Sequence, residues 1–107
     1  MWENVWKFKT ARFEIGLELG PEHDLDLSWD ETGETVRRLE NGTLFAFVAR
    51  VYVKLNGATI GEDYLGGCIY ETEHEFMRDG YFRDMVRAAI ADARRWIKSA
   101  QLERAAA

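Results

Sequence analysis

The sequence predicts an α+β domain in which an antiparallel sheet of three or four strands carries one long C-terminal helix on a face. Three observations point to it: apolar residues alternate with polar ones over 6–19 and 43–55, an Asn56-Gly57 pair follows the second run, and apolar residues recur three and four apart over 81–102. Alternation puts every second side chain on one face of a strand, whereas three-four spacing draws a stripe along a helix. At 107 residues the chain is too short to bury two independent cores, so residues 1–107 are expected to form a single domain.

Trp6, Phe8, Phe13, Ile15, Leu17 and Leu19 alternate with Lys7, Lys9, Glu14 and Glu18. Their parity changes between Phe8 and Phe13, and a bulge near Thr10-Ala11 would restore one apolar face along a single bent strand. Gly20-Pro21 ends it, because proline has no N–H for a ladder. Ser28-Trp29-Asp30-Glu31 then has capping-box spacing, and residues 35–40 read as a short helix closed by Asn41-Gly42.

Residues 43–55 place Phe45, Phe47, Ala49, Val51 and Val53 on one parity and Val48, Arg50, Tyr52 and Lys54 on the other. Asn56-Gly57 suits a tight hairpin whose two turn positions both need positive φ, with a further strand over 58–65. That turn sets a register of Val53 opposite Ile60, Arg50 opposite Asp63 and Val48 opposite Leu65. Gly66-Gly67 interrupts, and Cys68-Ile69-Tyr70 either continues the strand past a kink or begins a loop. Thr72 with Glu75 can cap a short helix carrying Phe76 and Met77. The long helix turns Phe82, Met85, Val86, Ala89, Ile90, Ala93, Trp96 and Ile97 to the sheet. The Ala105-Ala106-Ala107 tail is expected to fray.

Charge carries the clearest functional signal. Residues 13–36 hold Glu14, Glu18, Glu22, Asp24, Asp26, Asp30, Glu31 and Glu34 without a lysine or arginine, and the whole chain has a formal charge of −5. Such a surface attracts basic partners and repels phosphate backbones, whose binding depends on Lys and Arg; no direct nucleic acid and no membrane contact are expected. Cys68 is the single cysteine, which excludes an internal disulfide, favours a reducing cytoplasm and suits a small core residue. The N-terminus lacks the basic and apolar regions of a secretion signal, and no run approaches the roughly 18 to 20 apolar residues that span a bilayer.

Asp24, Asp26, Ser28 and Asp30 alternate like the first half of a calcium loop. Trp29 stands where an EF-hand needs glycine and Thr35 where it needs glutamate, so a solvated loop with Leu25 and Leu27 turned inward is the better reading. His23 and His74 have no second histidine at ligand spacing, and no metal or cofactor is expected. Gly61, Gly66 and Gly67 sit among carboxylates, which disfavours a phosphate cradle; a bend or bulge is expected there. Arg83, Arg87, Arg94 and Lys98 form a basic stripe beside the apolar face of the long helix, to be paired with carboxylates or solvated. Trp6 and Trp96 suit the core. Trp29, ringed by carboxylates, suits an exposed anchor.

The run Gly61-Glu62-Asp63-Tyr64-Leu65-Gly66-Gly67-Cys68-Ile69-Tyr70, with Gly80-Tyr81-Phe82-Arg83-Asp84-Met85-Val86 and the acidic Asp24-Leu25-Asp26-Leu27-Ser28-Trp29-Asp30, resembles a group of small uncharacterised proteins encoded by tailed phages and prophages. The resemblance transfers no catalytic motif. It implies a small acidic protein of the kind that occupies a host protein's functional surface, as anti-CRISPR proteins do when they block a nucleic-acid-binding groove.

The leading expectation is therefore a noncatalytic binding protein acting in the host cytoplasm, with Glu22, Asp24, Asp26, Trp29, Asp30, Glu31 and Glu34 meeting a basic host surface such as that of a CRISPR effector. The alternative is a structural or self-associating phage component, a homodimer formed through an exposed edge strand or the tryptophans. An enzyme would have to use His74 with Glu71, Glu75 and Cys68 around the glycine bend.

Overall fold

The computed structural model describes the backbone of residues 1–106 and the side chains of residues 1–101. Fraying of Ala105-Ala106-Ala107 concerns residues outside the described side chains, Ala107 lying outside the description altogether. Strands β1 (Glu3–Lys9), β2 (Glu14–Pro21), β3 (Phe45–Leu55) and β4 (Ala58–Tyr70) form one antiparallel sheet in the order β1-β2-β3-β4. Helices α1 (Glu34–Glu40), α2 (Glu73–Arg78) and α3 (Gly80–Ala106) complete an α+β arrangement. The sheet has four strands because residues 3–21 form a hairpin and not one bulged strand, with Phe8 opposite Ile15 and Lys9 opposite Glu14. The turn is built by Thr10: its N–H donates to the Phe13 carbonyl at 2.8 Å, and its hydroxyl oxygen accepts from Phe13 N at 2.9 Å. A bulge does occur, but between Asn4 and Trp6. It turns Asn4 to one face of the sheet and Trp6 and Phe8 to the other.

The Asn56-Gly57 hairpin forms with Asn56 at φ 51° and Gly57 at φ 82°, and it pairs Leu55 with Ala58 and Lys54 with Thr59. The expected register fails one residue later. Val53 faces Gly61 because Ile60 is an extra, buried residue on β4, so Arg50 faces Tyr64 and not Asp63. The cause is tertiary. A Cβ at position 61 would lie 2.7 Å from the backbone N of Ala93 and closer still to the carbonyl of Ala89, so the strand presents glycine where α3 crosses it. A second bulge at Gly66-Gly67, with Gly67 at φ 67°, puts Ala49 opposite Leu65 and Phe47 opposite Cys68. Val48 therefore does not face Leu65, and Cys68-Ile69-Tyr70 continues β4.

α3 runs over β4 and β3. Its Met85, Ala89 and Ala93 are buried against Leu17, Phe47, Ala49, Val51 and Val53 in one core, where each large side chain removed from water contributes about 1.5–3 kcal/mol. Phe76 of α2 is fully buried and meets Phe47, Tyr70 and Phe82 at ring-centroid distances of 5.4–6.3 Å. The Thr72 hydroxyl caps α2 by accepting from Glu75 N, while the Glu75 carboxylate accepts from Glu71 N. Trp6 packs edge-on to Phe82 at 5.2 Å. Trp96 does not enter the core: it is 52% exposed, toward the far end of α3.

The opposite face of the sheet has its own aromatic layer. Gly16 leaves the space in which the Tyr52 ring lies, and Gly20 the space for Trp2, which a Cβ would approach to 2.5 Å. Tyr52 is thereby buried although no helix covers it. Its hydroxyl accepts from the Asn4 amide at 2.7 Å, and Arg50 and Lys54 stand over its ring. Arg50 ion-pairs with Glu18 on β2 and Glu62 on β4, which ties three strands across this face.

Candidate interaction surface

The acidic segment begins where β2 ends at Pro21 and runs along the outer side of β4. Glu22 fastens it: one carboxylate oxygen accepts from Gly67 N at 2.6 Å and the other from Asp24 N at 3.1 Å. The Gly67 N–H, released from the ladder by the bulge, is the stronger cause holding the Glu22 carboxyl below its ordinary range. Asp26 accepts from Ser28 N at 2.9 Å, which lowers its pKa too. Asp30 accepts from Thr35 N and Val36 N, at 3.4 and 3.1 Å. It therefore caps α1 from outside the helix, since the N-cap residue is Gly33 at φ 71° and has no side chain to do so. The capping box expected at Ser28 does not form, because turns at 28–29 and 31–32 precede α1, which starts only at Glu34.

These contacts divide the predicted set. Glu22 ties the segment to β4, and Asp26 and Asp30 hold the segment's own backbone. Asp24, Glu31 and Glu34 are exposed, and among the described residues their carboxylates make no hydrogen bond or ion pair. Trp29 is 60% exposed, yet fixed by its indole N–H donating to the Asp26 carbonyl at 3.0 Å. Leu25 and Leu27 are half-buried beneath the loop.

Trp29 lines a depression of about 370 Å³ with residues 65–70 of β4 and with Tyr81, the second residue of α3. Tyr81 is 56% exposed and is not among the partner-binding residues that the sequence singles out. Two exposed aromatic rings suit the stem and charged head of a lysine or arginine, which an aromatic face attracts. Cys68 also borders this depression, but burial pushes its thiol up to about 11, which leaves it protonated at neutral pH.

The other sequence candidates are dispersed. His74 and Glu71 line a different depression, with Phe45 and Phe47, and Cys68 is not among its walls. Glu71 is ion-paired with Arg38 at 2.8 Å, and Glu75 is engaged as a cap. His23 and His74 are both exposed. Among the described residues no three His, Cys, Asp or Glu side chains converge on a common point, and no helix is long and apolar enough to cross a membrane. Comparison with protein-family models, curated proteins and solved structures finds no match to this chain, so the surface is interpreted from its own geometry.

Proposed function

We propose that the protein is a noncatalytic binding protein, of the phage-encoded inhibitor type, whose acidic segment occupies a basic surface on a host nucleic-acid-binding defence complex. One observation carries the reading: Trp29 stands exposed, held in place by its indole N–H, in a segment without a lysine or arginine. A pinned aromatic ring loses little freedom on binding, and aromatic anchors dominate interface energies. Asp24, Glu31 and Glu34 are free to meet lysines and arginines, while Trp29 and Tyr81 flank a slot for one of them. The resemblance to small phage proteins points the same way and supplies the inhibitor context.

Capture of host proteins on the immobilised chain tests this. A nucleic-acid-binding complex should be retained, and added duplex DNA or raised salt should release it, because screening lengths fall to about 8 Å near physiological ionic strength. Reversal of Asp24, Glu31 and Glu34 to lysine should abolish retention and leave the fold intact, since none of these carboxylates supports the backbone. Retention indifferent to DNA and to these reversals would sink the proposal.

A further inference from the structure

The other side of the molecule carries a second, chemically opposite surface. Because α3 lies over β4 and β3, a step remains between it and β1, about 480 Å³ in volume. Trp6, Phe8 and Ile15 form its floor and Phe82, Val86 and Ile90 its wall. Phe8 is 54% exposed there, and no carboxylate lines the step. The basic stripe stands next to that wall: Arg83 lines the step itself, and Arg87, Arg94 and Lys98 follow within about 60° of arc at 100° per residue. All four are exposed, and none forms an ion pair among the described residues.

We propose that this step is a docking site for an amphipathic helix of a partner protein, one that lays an apolar face on Trp6, Phe8 and Val86 and turns glutamates or aspartates to the α3 stripe. A helix is about 10 Å across and adjacent strands lie about 4.8 Å apart, so α3 alone does not roof a four-stranded sheet and a second rod fits beside it. The charge of the wall selects the occupant. Another copy's α3 would bring a like-charged stripe against this one, whereas an acidic face neutralises it; the mode is helix-in-groove recognition.

The test uses the intact chain and two synthetic helices of about 18 residues, each with leucines on one face, one carrying glutamates and the other lysines along the borders of that face. Calorimetry should give the glutamate peptide at least about tenfold tighter binding, as several rim pairs add modestly, with amide NMR shifts centred on Phe8, Val86 and Ile90. The double variant Arg83→Glu, Arg87→Glu should invert the preference, and Phe8→Asp should abolish binding of both peptides without unfolding the protein. Equal affinity for the two peptides, shifts centred elsewhere, or a homodimer that buries the step and that the peptide does not displace would each overturn the proposal. The acidic segment is untouched in all these variants, so the outcome is independent of its role.

Discussion

Along β4 the outer edge of the sheet is long, kinked and occupied by carboxylates, whereas along β1 it is short and left open. Glu22 takes the N–H of Gly67, and Asp92 of α3 takes that of Glu62 at 3.1 Å, so two donors able to template another strand are already satisfied. On β1 no side chain accepts from a backbone N–H of the strand among the described residues; its protection is brevity and the charges of Lys7 and Lys9. Both are recognised ways of discouraging strand addition, but they leave different surfaces. The β4 side is acidic with a fixed indole, the β1 side apolar with a basic border. A chain with a formal charge of −5 thus holds two surfaces suited to opposite partners.

The sharpest break of this comparison is in packing. Phe76→Ala, beneath α3 on the β4 side, should cost about 3–5 kcal/mol in urea unfolding, while Phe8→Ala on the open side should cost less than about 1 kcal/mol; equal losses would mean that β1 is covered after all. Gly61→Val should follow at about 3 kcal/mol, because the new side chain meets helix backbone, which cannot swing aside as a side-chain tip can. Within the acidic segment, Asp30→Ala should cost about 1 kcal/mol by uncapping α1, and Asp24→Ala should stay within about 0.5 kcal/mol. The smallest effect concerns acid. Glu22 has a folded-state pKa below its ordinary 4.5, so its stabilisation is present above that value and is lost as pH falls through the folded value. Glu22→Gln should therefore flatten the acid limb of a stability profile taken between neutral pH and about pH 3, and leave the rest of its shape unchanged.

Much of the fold is legible in the sequence. Strand alternation in 45–55, the Asn56-Gly57 turn, the Thr72 cap and the stripe on α3 are local signals, and each formed as local physics requires. The β1-β2 hairpin escaped because its turn has no glycine, proline or asparagine; a threonine hydroxyl closes it instead. The β4 register escaped for a different reason: the glycines at 61, 66 and 67 signal a bend or bulge, which forms, but not that α3 presses on Gly61 and makes Ile60 the extra residue. In the acidic segment, exposure of Trp29 followed from its polar surroundings. The division of carboxylates into backbone holders and free charges depended on where Gly67 and the start of α1 lie, and Tyr81 joined Trp29 through contacts between distant parts of the chain.

The aromatic layer on the helix-free face has a consequence for how the sequence can change over generations. Tyr52 occupies the volume that a side chain at position 16 would need, as Trp2 does for position 20. Neither glycine can be replaced while its ring remains, yet a smaller residue at 52 would open a gap that a side chain at 16 could fill. Positions 16 and 52, and likewise 20 and 2, are therefore expected to be inherited as linked pairs: in a library varying all four, functional sequences should show large residues alternating between the members of each pair and never present at both.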